Sequence, residues 1–138
     1  HEHGAKIAYA HLPGDKNARR TGKAAEKIHA DPWLHPCDAG SDESLDGLFE
    51  AYAKDHHRLD FLVHSIAFAD KDYLKPDMFR KTPRQVYTSA IDTSAYTLLA
   101  MAQRAMPLMS AGGSIVSLSY FGGEKVTPGY NIMGIAKA

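Results

Sequence analysis

Tyr130 and Lys137, seven positions apart in Tyr130-Asn-Ile-Met-Gly-Ile-Ala-Lys137, are the pair in this sequence best equipped for chemistry. Seven helical residues turn through roughly 700° and rise about 10 Å, so both side chains leave the same face. Helical side chains lean toward the N-terminus, which carries the lysine stem back toward the tyrosine. An ammonium beside a phenol favours its charged form and strengthens its hydrogen bond to a developing oxyanion. That is chemistry for reducing a conjugated carbonyl. The pair alone also reads as a surface tyrosine and a solvated lysine that share a face.

Such a pair needs elements to hold it. Ala5–Ala10 reads as a short strand, with Gly4 as the left-handed residue that closes a preceding helix, so the first residues are expected to be a helix tail. The polar stretch His11–His29 follows, with Pro13-Gly14-Asp15 as turn and N-cap and Ala18, Ala24, Ala25 and Ile28 as a helical stripe. Trp33–Cys37 reads as a second strand. Ser41 caps a helix over Asp42–Lys54 whose Leu45, Leu48, Phe49 and Tyr52 form one buried face. Leu59–Ser65 is apolar enough for a parallel strand covered on both faces.

A loop with Pro76 and Pro83 leads into a long helix, Arg84–Met109. One stripe on it is Val86, Ala90, Ser94, Thr97, Met101, Ala105 and Leu108. A second is Ile91, Ala95, Leu98, Ala102 and Met109. The arc is wider than one sheet face requires, so this helix is expected to meet another subunit. Gly112-Gly113 ends it, Ser114–Tyr120 is the fourth strand, and a last helix begins near Pro128.

Alternating strands and helices with short connections predict an α/β fold, a Rossmann-like doubly wound parallel sheet, here one domain with no internal boundary. Ligands of such sheets bind beyond the carboxyl ends of the strands. Three segments lie there: Cys37-Asp38-Ala39, Ser65-Ile66-Ala67-Phe68-Ala69 and Ser119-Tyr120-Phe121-Gly122. Each taken alone also reads as the start of a loop.

The composition excludes several classes. The chain has 138 residues, 44% hydrophobic and 23% charged, with 16 basic residues balancing 16 acidic ones, which is ordinary for a globular domain. A zero net charge argues against nucleic acid or an anionic membrane as partner. No apolar run approaches the roughly 20 residues that cross a bilayer. The lone Cys37 cannot form an internal disulfide, which fits a reducing cytoplasm; at a strand end beside proline it reads as a packed residue rather than a nucleophile. Eight histidines raise the question of a metal. The close pairs His1-Glu2-His3 and His56-His57 lack the i, i+4 spacing of a helical metal site, so none is expected.

The run from Ser119 through Tyr120-Phe-Gly-Gly-Glu-Lys-Val-Thr-Pro-Gly-Tyr130-Asn-Ile-Met133-Gly-Ile-Ala-Lys137-Ala closely resembles the active-site segment of bacterial enoyl-[acyl carrier protein] reductases. Asp60-Phe-Leu-Val-His-Ser65-Ile66-Ala67-Phe68-Ala69 resembles the family's fourth-strand segment, and the Cys37-Asp38 pair keeps its expected order. The resemblance implies NADH-dependent reduction of a trans-2-enoyl thioester carried on acyl carrier protein: hydride moves from C4 of the nicotinamide to the β-carbon, and the enolate is protonated at the α-carbon. By position it assigns Tyr130 to the enolate oxygen, Lys137 to the nicotinamide ribose and Tyr120 to the substrate side. It places Asp38 and Ala39 beside the adenine and Ser65, Ile66 and Ala67 along the ribose and pyrophosphate path. Leu118 falls on the cofactor side, while Phe68, Ala69, Leu74 and Met133 line the acyl side. It further implies a cytoplasmic homotetramer.

The sequence departs from the family pattern at both ends. The family's first strand with its glycine-containing pyrophosphate loop is not in this stretch, nor are its later strands and substrate lid, so an internal fragment is expected. Ala10-His11-Leu12 ends the first strand of this stretch, the family's second, without the acidic residue that binds ribose hydroxyls, and Lys16, Arg19 and Arg20 lie near; NADH follows from the resemblance, with NADPH as the alternative. An ordinary short-chain dehydrogenase or ketoreductase would carry lysine four residues after tyrosine, yet position 134 is glycine and position 124 glutamate. A catalytically silent piece is the other reading for the isolated stretch, which lacks several phosphate donors at once.

Overall fold

A computed structural model describes residues 3–138. They form two compact units, one through His56 and the other from His57 to Ala138.

In the first unit, β1 (Ala8–His11) pairs in parallel with β2 (Trp33–Pro36), Ala8 opposite Trp33 and His11 opposite Pro36. The strand begins later than Ala5 because its ladder ends where β2 does. Gly4 has the left-handed φ of 81° expected of it; the helix expected before it falls largely on residues outside those described. Helix α1 (Asp15–Ala25) crosses between the strands. Its N-cap is Gly14, with a φ of 111° that only glycine adopts easily, and Asp15 is instead an acid in the first turn, where the helix dipole favours it. The expected stripe is corrected: Gly22 and Ala25 are the buried positions, Ala24 is exposed, and Ile28 lies beyond the helix end and is exposed. Helix α2 (Asp42–Asp55) starts at Ser41, whose Oγ accepts from the Ser44 amide at 3.2 Å. Leu45 and Leu48 are buried and Phe49 and Tyr52 half-buried. Trp33 meets the edge of Tyr52 and donates its Nε1–H to Asp55 at 2.7 Å, tying β2 to the end of α2.

In the second unit, β3 (Phe61–His64) pairs in parallel with β4 (Ser114–Ser117), His64 opposite Ser117. The expectation of a strand covered on both faces does not hold among the described residues. His64 is fully buried while Val63 is 52% exposed, so β3 has one covered face and one open face.

The long helix is not continuous. Helix α3 (Arg84–Ile91) passes into one π turn, Asp92–Tyr96, then α4 (Thr97–Ala105) and a 3-10 turn at Met106–Leu108. Pro107, lacking an amide hydrogen, ends the α-helical ladder early. The first stripe survives the π turn, since Ala90, Ser94, Thr97, Met101 and Ala105 are all buried, while its two ends, Val86 and Leu108, are half-buried. The second stripe stays half-buried, except Ala95, which is exposed beside Tyr96 and Leu99. Helix α5 (Asn131–Lys137) buries Ile132, Met133 and Ala136 and packs against α3 and the π turn.

Candidate active site

Lys137 ends α5 and turns its ammonium onto two backbone carbonyls, Ile66 at 3.1 Å and Leu118 at 3.0 Å. These carbonyls follow β3 and β4 respectively, so one cation bridges the carboxyl ends of two paired strands. An ammonium has three N–H donors, and two are aimed at these carbonyls. The Ser119 hydroxyl donates to the Lys137 carbonyl at 2.8 Å, fixing the end of the helix from the β4 side.

Tyr130 precedes α5 as its N-cap, and Asn131 after it has a φ of 39°. Asparagine tolerates that left-handed backbone better than most residues. Its side-chain amide donates to the Tyr73 carbonyl at 2.9 Å and the Lys75 carbonyl at 2.7 Å, holding the loop that carries Leu74. The positive φ breaks the regular two-turn rotation between Tyr130 and Lys137. The ammonium goes to carbonyls, not to the phenol. The phenol accordingly moves opposite to the sequence expectation: burial, then the neighbouring Tyr120, raises its pKa above the usual 10.0, so Tyr130 is a protonated donor at neutral pH.

Tyr120 and Tyr130 lie with ring centroids 4.7 Å apart, tilted by 57°. With Thr127, Pro128 and Gly129 they line an open cleft of about 390 Å³. The turn Phe121–Gly123 lies so close beneath that a Cβ on Gly122 would sit 2.3 Å from the Tyr130 ring, and one on Gly134 would sit 2.7 Å from the Gly122 carbonyl. Glycine at 122 makes room for the Tyr130 ring, and glycine at 134 lets the turn touch α5.

The structure thus brings Lys137, Ile66 and Leu118 together, and separately Tyr120 with Tyr130. Phe68 is 57% exposed, Ala69 and Leu74 are half-buried, and Met133 is 8% exposed, its sulfur 3.8 Å from the Ser94 hydroxyl. Met133 is therefore mostly a core residue here. Ser65 and Ala67 are exposed on either side of Ile66. Asp38 and Ala39 belong to the first unit, where the Asp38 amide donates to Ser44 Oγ at 2.9 Å and its carboxylate accepts from Gly40 at 3.0 Å, leaving Asp38 exposed after β2. Among the described residues no three His, Cys, Asp or Glu side chains converge as a metal set; His1 and Glu2 lie outside them.

A buried polar network lies beneath the Lys137 site and leaves little trace in the sequence. His64 contacts the Thr97 hydroxyl through Nε2 at 2.8 Å and Ser117 Oγ through Nδ1 at 3.4 Å. Thr97 donates its own hydrogen to the Thr93 carbonyl at 2.7 Å, so it accepts from His64, which assigns the proton to Nε2. Burial, then the positive charge of Lys137, lowers the His64 pKa, while a bond to its own backbone opposes them. The signal available beforehand was two hydroxyls, Ser94 and Thr97, in an otherwise apolar stripe.

A parallel α/β framework with a lysine held at two strand ends and, separately, a tyrosine pair beside an open cleft sets the class, and comparison gives the family. A family model described as enoyl-(acyl carrier protein) reductase matches residues 1–138, and the chain belongs to that family. It is 39% identical over 140 residues to enoyl-[acyl-carrier-protein] reductase [NADH] FabI of Synechocystis, covering 100% of this chain and 54% of that protein. It is 40% identical to enoyl-[acyl-carrier-protein] reductase [NADH] 1 of Rhizobium meliloti, covering 99% of this chain and 49% of that one. Among solved structures, the Bacillus cereus reductase with NADP+ and an indole naphthyridinone superposes with a TM-score of 0.93 at 35% identity, over 99% of this chain and 53% of that one. The Anaplasma phagocytophilum reductase in complex with NAD gives 0.90 at 38%, over 97% and 50%. The chain therefore spans about half the length of the relatives it matches.

Proposed function

We propose that the full-length protein containing this chain reduces trans-2-enoyl thioesters of acyl carrier protein with NADH in fatty-acid synthesis, as a cytoplasmic homotetramer. The observation that carries the reading is the division of labour in the second unit: a protonated Tyr130 beside Tyr120 in an open cleft, and a Lys137 ammonium held at two strand ends.

The residues fit a nicotinamide dinucleotide. Lys137 keeps one N–H beyond its two carbonyl bonds for a ribose hydroxyl, and the exposed Asp38 carboxylate is an acceptor suited to the adenine amine. In the first unit Asp38 and Ala39 would take the adenine, and in the second Ser65, Ile66, Ala67, Leu118 and Lys137 would take the ribose and pyrophosphate path; residues 1–138 are proposed as part of one dinucleotide-binding domain. When bound, the dinucleotide supplies the hydride; the protein supplies geometry and charge. Tyr130 donates its hydroxyl hydrogen to the thioester oxygen as negative charge develops there, and Tyr120 orients the same end of the substrate. Phe68, Ala69 and Leu74, with the edge of Met133, give the acyl chain apolar contact. NADH is preferred over NADPH because the curated relatives carry it in their names. The exposed Tyr96 and Leu99 on the π turn and α4 support the assembly. No helix among the described residues is long and apolar enough to cross a membrane.

The test is a substrate panel with the full-length protein and NADH. Crotonyl and longer enoyl thioesters are consumed, while 3-ketoacyl thioesters are not. Turnover of 3-ketoacyl or alcohol substrates in place of enoyl ones overturns the proposal.

A further inference from the structure

The π turn at Asp92–Tyr96 interrupts an otherwise α-helical run directly behind the segment that receives Lys137. Turns of this kind are rare and occur mostly singly inside α-helices, frequently at functional sites. Here Ser94 lies within the π turn and Thr97 begins α4, and both are at least 96% buried.

The two hydroxyls grip the chain on either side of Ile66. Thr97 accepts from the His64 ring at 2.8 Å. Ser94 accepts the Phe68 amide at 3.0 Å and donates to the Phe68 carbonyl at 3.0 Å, so one side chain satisfies both backbone groups of one residue. Between these anchors lie Ser65, Ile66 and Ala67, with no regular secondary structure of their own. The Ile66 carbonyl in the middle accepts from Lys137 at 3.1 Å. The second acceptor is tied to the same anchor, because the Leu118 amide donates to the His64 carbonyl at 3.0 Å while the Leu118 carbonyl accepts from Lys137.

We infer that Ser94 and Thr97 are positioning residues for Lys137: they bracket the 65–67 segment, fix the carbonyl that orients the ammonium, and so set the affinity for the nicotinamide cofactor. This rests on the NADH reading above. Both hydroxyls are buried and already bonded within the protein, so they act through the segment they hold. A carbonyl held in place orients a flexible lysine; a carbonyl free to swing lets the ammonium wander and weakens every bond it makes.

The test is a double-mutant cycle on NADH binding by the full-length protein, read by nucleotide fluorescence without substrate. Ser94→Ala removes one oxygen and leaves shape nearly unchanged. It weakens NADH binding about 3- to 10-fold, the worth of one hydrogen bond, and speeds amide exchange at Phe68. In a Lys137→Met background the same change alters NADH binding less than about 2-fold, because the group through which it acts is gone. Ser94→Cys, which keeps a weak donor and acceptor, recovers part of the loss. Equal effects of Ser94→Ala in both backgrounds overturn the inference while leaving the reductase reading intact. Failure of the unaltered protein to bind NADH overturns both.

Discussion

At the scale of single residues, burial and charge decide which proton each group keeps. Tyr130 has its pKa raised by burial and by Tyr120, so it remains a phenol well past neutrality. In a spectrophotometric pH titration of the full-length protein, the tyrosinate signal lost in Tyr130→Phe is expected to appear only above about pH 10; a phenolate near neutrality would contradict this. His64 is the opposite case, a group whose folded state prefers to be neutral. Its unfolded form takes up a proton near pH 6.5 while the folded form resists, so its contribution to stability is intact above about 6.5 and is lost as pH falls toward the lowered folded value. Denaturant titrations should show a loss on the acid side that His64→Gln reduces; identical pH profiles would remove His64 from the account. Tyr130 and Lys137 stand out in the sequence by type and spacing, and it is the resemblance of the surrounding run that gives them roles. What could not be read was the direction of the lysine, since the left-handed Asn131 breaks the helical phase between them.

At the scale of elements, the site depends on close backbone contact between the Phe121–Gly123 turn and α5. Gly122 and Gly134 permit it, with added Cβ atoms falling 2.3 Å from the Tyr130 ring and 2.7 Å from the Gly122 carbonyl. Gly134→Ala must therefore push the turn off the helix. Overpacking of this kind costs about 1–3 kcal/mol, measurable as a lower thermal midpoint, and it should reduce kcat by moving Tyr120 relative to Tyr130. An unchanged midpoint and kcat would mean the contact is not required. The cap at Ser41, the burial of Leu45 and Leu48 and the stripe from Ala90 to Ala105 followed from local patterning. The π turn did not, because substituting one helical hydrogen-bond ring for another leaves the spacing of apolar residues nearly the same. Ser94 and Thr97 looked like tolerated polar positions in a helix, when their partners at Phe68 and His64 lie 26 and 33 residues away in sequence.

At the scale of the molecule, the parallel pairing of β1 with β2 and of β3 with β4 followed from strand–helix alternation, whereas the open face of β3 around Val63 could not be read from its apolar run. The exposed face of the helix carries Leu99 and Tyr96 at 54% and 48% exposure, and covering a leucine contributes about 1.5–3 kcal/mol. Sedimentation of the full-length protein should give a tetramer that Leu99→Arg dissociates; a tetramer indifferent to the change would place the interface elsewhere. Tyr130 is proposed to serve the substrate and Lys137 the cofactor, and this division is checked by measuring kcat with an enoyl thioester and NADH affinity in full-length Tyr130→Phe and Lys137→Met. Tyr130→Phe is expected to lower kcat by about 100-fold or more with NADH affinity little changed, and Lys137→Met to weaken NADH binding by about 10-fold or more. Loss of NADH affinity in Tyr130→Phe with none in Lys137→Met would contradict it.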